Sequence, residues 1–393
     1  MHSVTVVLLV FDWLIVLIWT AKILSTLRNF PRLPNLLDAR YAEPLENASR
    51  PLISVIVPAC NEEADIETTL RALLAIDSVP INIIAINDRS TDSTGAILDR
   101  IAAESGSVLT VIHVSELPAG WLGKPHAMAL AARQATTPWL LFTDADVIFA
   151  PDAFLRAFNF VQVENADHCV IFPTMTLETF GERMMLAVSQ LFAAVFFSPW
   201  RVPDPQKPDS IGIGAFNLIR ADVYRAVGGF EALRMQVTED LRLGVEIKRA
   251  GYRQRVAVGP DLVRIRWVEG AGHFIRNVTK NFFAVFRFRI GPALMACAVL
   301  TILCLAPFAG FAGPLPFRVP AALLFLMLFF LYRCLNRVGK VPVAFFLTFP
   351  IAAALLIYAL LRSVFVTIAR GGISWRGTFY PLSELRKAAG PTF

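Results

Sequence analysis

The sequence predicts an α/β domain with a largely parallel sheet, set between apolar segments long enough to cross a membrane. Three observations carry this reading. Between residues 52 and 150, short β-branched runs alternate with stretches of helical periodicity, the pattern of βαβ units. Apolar runs of membrane-spanning length stand towards both ends of the chain. The composition, 55% hydrophobic with a mean hydropathy of +0.56, is too apolar for an ordinary soluble enzyme.

Residues 4–27 (VTVVLLVFDWLIVLIWTAKILSTL) predict an N-terminal anchor over 1–28. It has no basic leading region and no small-residue cleavage site, so an uncleaved anchor fits better than a signal peptide. Asp12 within it is a cost, met by facing another helix or the interface. Lys22, Arg28, Arg32 and Arg40 follow the span and only His2 precedes it, which places the next domain in the cytoplasm, under the inner membrane. Residues 50–282 have the length of one globular domain. Apolar stretches at 290–312, 319–333 and 341–369 predict a C-terminal membrane bundle over 290–369, followed by a basic tail, 370–393. Four full spans would leave that tail outside, whereas Arg370, Arg376, Arg386 and Lys387 argue for inside. A re-entrant stretch at Pro350, or at Pro292 and Pro307, reconciles the two, and three or four spans both stay open. The net charge of +6 suits an anionic membrane surface; no nucleic-acid-binding motif accompanies it. Five scattered cysteines with no metal spacing read as reduced, structural thiols.

The elements of the domain follow in order. Residues 52–58 (LISVIVP) read as a buried parallel strand. In ACNEEADIETTLRALLAI, Ile66, Leu70, Leu73 and Leu74 fall at helical spacing, with Asn61 and the acids at the N-terminal turn. INIIAIND (81–88) is a second strand ending in Asp88, and RSTDSTGAILDRIAAE is a helix capped around Thr91 and Asp92. VLTVIHV (108–114) is the third strand, KPHAMALAARQA the third helix, and WLLFTDAD (139–146) the fourth strand. Beyond it, 184–200 is too interrupted to span and reads as an interfacial helix. Residues 201–210 are a Pro-rich loop. IGIGAFNLIR (211–220) is a Gly-containing strand, and Leu241, Val245 and Ile247 predict a helix starting near Glu239-Asp240.

In such sheets ligands bind outside the carboxyl ends of the strands. Pro58 to Glu62 follow the first strand, Asp88 ends the second, and Asp144 and Asp146 end the fourth, so one crevice receives all of them. Two carboxylates at i and i+2 where a strand ends can share one hard cation, Mg²⁺ or Mn²⁺, whose shell is completed by phosphates and water. The same pattern also occurs in turns with two solvated acids. Asp88 suits hydrogen bonds from a base or ribose, or belongs only to the helix cap. Lys124 offers an ammonium to a diphosphate, or is a solvated charge; His126 is assigned no role. In Thr238-Glu239-Asp240, the helix dipole alone would favour the acids, while Asp240 as a general base would deprotonate an acceptor hydroxyl.

Together these segments resemble the family 2 glycosyltransferases of the GT-A fold. The family's opening VSVIVPxxNEE stands here as ISVIVPACNEE (53–63), and its acidic DDxS(T)D segment as NDRSTD (87–92), with Asn87 in place of the first acid and Asp88 kept. GK at 123–124, the DxD at 144–146, GAFNLIR, GGF and TED follow in order. The resemblance covers about residues 50–290. It implies inverting transfer from a UDP- or GDP-sugar held by Pro58, Asn61, Glu62, Asp88 and Lys124. It also implies a divalent metal at Asp144 and Asp146, and Asp240 as base. Related membrane enzymes carry (Q/R)xxRW; here the stretch is HFIRNVTKN (273–281), where His273 and Arg276 match the spacing and Asn277 replaces the Trp. Arg276 is carried over as a diphosphate contact, and processive polymer synthesis is not implied. GGISWRGTFYP, LPAGWLGK (117–124) and the flanking apolar helices look like the hopanoid-associated, carotenoid and ceramide glycosyltransferases, which implies a membrane lipid acceptor with a hydroxyl group.

The competing readings are a processive polysaccharide synthase, a silent membrane scaffold and a nucleotidyltransferase. The first requires an intact QxxRW, and the second has no need of Asp88, Asp144, Asp146 and Asp240 around one crevice. The third requires a Gly-rich basic loop where this chain has PACNEE.

Overall fold

The computed structural model describes residues 2–44 and 52–389. The four runs read from the sequence are strands β1 (Ile53–Ala59), β2 (Ile81–Asp88), β3 (Leu109–Val114) and β4 (Trp139–Phe142). They are followed by β5 (Val147–Phe149), β6 (His168–Phe172), β7 (Thr174–Met175), β8 (Asn217–Arg220), β9 (Gln254–Val258), β10 (Val263–Ile265), β11 (Gly372–Trp375) and β12 (Thr378–Pro381). Seven of these build the central sheet in the order β3-β2-β1-β4-β8-β6-β9. All run parallel except β8, which is antiparallel to both of its neighbours.

Side chains of β1 alternate between two covering layers, which is why the strand carries no polar face. Val55 and Val57 pack with Leu70, Leu73 and Ile101. Ile56 points the other way, with Ile84, Ile86 and Leu140, against Ala127 and Ala131 of the helix Gly123–Gln134. Small residues on that helix let it approach the sheet closely. The helix after β1 begins at Ile66, later than the capping pattern suggests. Asn61 adopts a left-handed conformation, φ 56°, and its Oδ1 accepts a hydrogen bond from the Thr91 N–H at 2.8 Å. It therefore ties the loop after β1 to the loop after β2 and caps no helix. Asp92 does cap, its Oδ1 accepting from Thr94 N–H at 3.0 Å.

A second, small sheet, β5-β10-β7, lies at the carboxyl end of β4 and brings residues 263–265 beside the chain that leaves Asp146. The helix Phe180–Phe197 starts with a capping box between Thr179 and Glu182. It packs Met185, Val188 and Leu191 against Trp19, Leu328 and Phe349, so it links the domain to the apolar helices. Those are His2–Asn29, Ile290–Cys304, Leu315–Gly339 and Phe349–Ala369. Counting Phe180–Arg201, five segments are long and apolar enough to cross a membrane. Val7, Leu17, Met295, Ile351 and Phe365 are exposed on them, an arrangement that lipid tolerates and water does not. The chain is thus membrane-associated. All five cysteines are buried, and none forms a disulfide among the described residues.

The basic segment after residue 369 is folded. β11 and β12 pair antiparallel around Arg376 and Gly377, whose φ angles of 47° and 77° make the tight hairpin turn. The helix Leu382–Ala389 follows. This unit lies on the α/β domain: Thr378 Oγ1 accepts from Arg89 at 3.1 Å, Tyr380 Oη from the Gly123 N–H at 3.3 Å, and the Phe288 carbonyl from Arg386 at 3.1 Å.

Candidate active site

The carboxyl ends of β1, β2 and β4 open into a cavity of about 470 Å³. Pro58, Glu62, Asp88, Lys124, Asp144 and Asp146 all line it. Asn61 stands behind the wall in the inter-loop clamp already described. Arg276 lines a neighbouring cavity instead.

Asp88 is buried and held by Arg89, with Nε 2.8 Å from Oδ1 and Nη2 3.1 Å from Oδ2. Lys124, at the first turn of its helix, reaches Asp144 Oδ1 at 2.5 Å and Glu239 Oε1 at 2.9 Å. Burial works to raise the Asp144 carboxyl, and Lys124 outweighs it, holding the group below the usual carboxylate range. Asp146 has no such partner. Burial, then the charges of Asp144 and Glu62, push its carboxyl up to about 7. Two carboxylates facing one cavity, one of them raised by burial and its acidic neighbours, fit a divalent metal. Among the described residues no group of three or more His, Cys, Asp or Glu side chains could hold one. Gly214 makes the arrangement possible, since a Cβ there would lie 2.7 Å from Asp144 Oδ2.

Asp240 lines a second cavity, of about 440 Å³, which shares Lys124, Asp144, Lys280 and Trp375 with the first. Burial and then Glu239 push its carboxyl up to about 6, with Lys124 pulling the other way. Phe197, Trp267, Phe282 and Val285 give this cavity apolar walls.

Among the lining residues that escaped the sequence reading are Trp267, Lys280, Trp375 and Arg376. Lys280 lies over the Trp375 ring, 4.7 Å from its centre. Arg376 hydrogen-bonds the Cys60 carbonyl and pairs with Glu62. The available signal was WRGT, whose Arg-Gly pair suits a hairpin turn, although nothing local says what that hairpin covers.

A nucleotide-sized acidic cavity at the carboxyl edge of this sheet, joined to a second cavity holding a buried carboxylate, defines a group-transfer enzyme. Residues 50–282 match the family described as "Glycosyltransferase like family 2", and the chain belongs to that family. It is 23% identical over 346 residues to a 4,4'-diaponeurosporenoate glycosyltransferase of Staphylococcus aureus strain MRSA252, covering 86% of this chain and 90% of that one. A mannosyltransferase from Pyrobaculum calidifontis, solved with GDP-Man and Mn²⁺, superposes with a TM-score of 0.50 at 17% identity, over 91% of this chain and 99% of that one. The fold is α/β of the GT-A type, and the protein is a glycosyltransferase.

Proposed function

We propose that the protein transfers a sugar, with inversion, from a UDP- or GDP-sugar to a hydroxyl of a membrane lipid at the cytoplasmic face of the inner membrane. The observation that carries this reading is the meeting of an acidic and an apolar cavity at Lys124 and Asp144, with Asp240 on the apolar side. The nucleoside lies towards Asp88, and the diphosphate towards Asp144, Asp146 and Lys280. A divalent cation held by Asp144 and Asp146, Mg²⁺ or Mn²⁺, would supply charge neutralisation for the leaving diphosphate. The acceptor oxygen bonds to the anomeric carbon as that carbon's bond to the diphosphate oxygen breaks, and the electron pair departs with the diphosphate. The hydroxyl proton passes to Asp240. Phe197, Trp267, Phe282 and Val285 receive the apolar part of the acceptor and keep water from the anomeric carbon. The likeness to a glycosyltransferase named for 4,4'-diaponeurosporenoate is in keeping with a lipid acceptor.

The path of the chain supports three full crossings. Phe180–Phe197 leaves the domain after β7 and returns to it before β8, so it does not change sides. The chain departs the domain near Phe288. Lys340, at the end of helix Leu315–Gly339, pairs with Asp261 of the domain, so 290–339 goes out and back. Residues 343–369 start from there and end at the hairpin on the same domain, so on this reading both ends of the stretch lie on the catalytic side. Together with the anchor, that gives three crossings and a C-terminus on the catalytic side.

The test is mass spectrometry of lipid extracts from cells making the wild type or Asp240→Asn. A hexose-bearing lipid found only with the wild type is the expected result; identical extracts would sink the lipid-acceptor reading.

A further inference from the structure

Beyond Trp375 lies a third cavity, of about 330 Å³, whose charge is the reverse of the donor cavity's. Arg276, Lys280, Arg362, Arg370 and Arg376 line it, and no Asp or Glu does. Glu62, Asp65, Asp88, Asp144, Asp146 and Glu269 line the donor cavity. Arg376 is paired with Glu62. Among the described residues, no carboxylate lies within ion-pairing distance of Arg276, Lys280, Arg362 or Arg370. Arg276, Arg362 and Arg370, gathered with no carboxylate paired to them, repel one another, and an anion in their midst would relieve all three at once. Burial lowers the Lys280 ammonium to about 8, with Glu239 opposing the fall and Lys124 and Arg376 adding to it.

The position of the cavity says where the anion comes from. Arg362 lies two turns inside the C-terminal end of the apolar helix Phe349–Ala369, half-buried and hydrogen-bonded to Thr279 Oγ1. A cation at that depth on such a helix is costly unless it serves a polar cavity. Arg370 follows the last turn, and Val366 and Ile373 add apolar wall between them and the hairpin. The cavity thus opens where an apolar helix meets a basic rim, the level at which lipid headgroups lie.

We propose that this cavity, which borders the donor and acceptor cavities, binds the phosphate of an anionic membrane lipid. Planar guanidinium groups suit the paired oxygens of a phosphate, and Val366 and Ile373 suit the start of an acyl chain. The walls shared with the donor cavity, Asn277, Lys280, Trp375 and Arg376, would be steadied by the bound headgroup. The proposal rests on the membrane placement of Phe349–Ala369, and not on the transfer reaction.

Full-length protein in detergent, incubated with phosphatidylglycerol or phosphatidylcholine and measured by native mass spectrometry, tests it without any turnover. Preferential retention of phosphatidylglycerol is expected. Arg362→Gln/Arg370→Gln should weaken it about thirtyfold, from two lost charge contributions, while UDP- and GDP-sugar bind as to the wild type. Equal retention of the two lipids, or unchanged retention in the double variant, would overturn the proposal. Weakened donor binding in the double variant would give the cavity to the donor diphosphate instead. Full displacement of phosphatidylglycerol by millimolar inorganic phosphate would give it to a soluble anion. Should the double variant not fold, Arg370→Gln alone, an exposed position, decides by the same readouts.

Discussion

Lys124 Nζ stands 2.5 Å from Asp144 and 2.9 Å from Glu239, so one ammonium joins the acid at the end of β4 to the helix that carries Asp240. It is the cation that keeps Asp144 ionised and restrains the rise of Asp240. Lys124→Met should therefore shift the acid limb of the pH–rate profile upward from about 6, because Asp240 loses an opposing positive charge. An unmoved limb in a folded, donor-binding variant would contradict this.

Asp240→Asn should lower turnover by about a hundredfold to ten-thousandfold, the usual worth of a positioned base, with donor affinity retained. In the wild type the base is ionised above its pKa, so activity should fall as pH drops through about 6. Steady-state rates from pH 5 to 8 check both statements.

Chelation should abolish transfer, and Mg²⁺ or Mn²⁺ should restore it. Asp144→Asn and Asp146→Asn should each resist that rescue at metal concentrations saturating for the wild type. Gly214→Ala should act in the same direction, since its methyl would crowd Asp144 Oδ2 at 2.7 Å. Activity unchanged after exhaustive chelation would remove the metal from the site.

Gly377→Val should open the hairpin, because a β-branched residue at φ 77° costs about 1–2 kcal/mol in backbone strain. Arg376 would then lose its place beside Glu62 and Cys60, and the donor KM should rise more than kcat falls. Thermal unfolding of the whole protein should change little, since the hairpin lies outside the central sheet.

Lys387→Cys, on an exposed face of the last helix, should resist a membrane-impermeant thiol reagent added to intact spheroplasts and react once they are opened. Labelling from outside would contradict three crossings with one re-entrant stretch.

The α/β half of the domain was legible because its information is local. Each strand is a β-branched run, and the polar residues that follow it must emerge at one edge of a parallel sheet. That logic brings Pro58, Glu62, Asp88, Lys124, Asp144 and Asp146 to one cavity. Asn61 differs because its partner, Thr91, is 30 residues away and pulls it into a clamp that capping statistics do not foresee. Lys280, Trp375 and Arg376 were hidden for a similar reason. They are read only once the apolar helices have folded the chain back over the domain, and no spacing rule encodes that return. Arg276 carried a spacing match, yet its helix turns it to the basic side of Trp375.

The hairpin that covers the donor cavity has a consequence for how the enzyme is made. Arg376 meets Glu62 across 314 positions of chain, and every apolar segment after the domain lies between them. The sheet and its acids can form while synthesis continues, but one wall of the reaction site is missing until the last helices have entered the bilayer and the chain has come back. On the proposed function, catalytic competence is therefore tied to completed membrane insertion, and a chain truncated before residue 372 would have the acids without the cover.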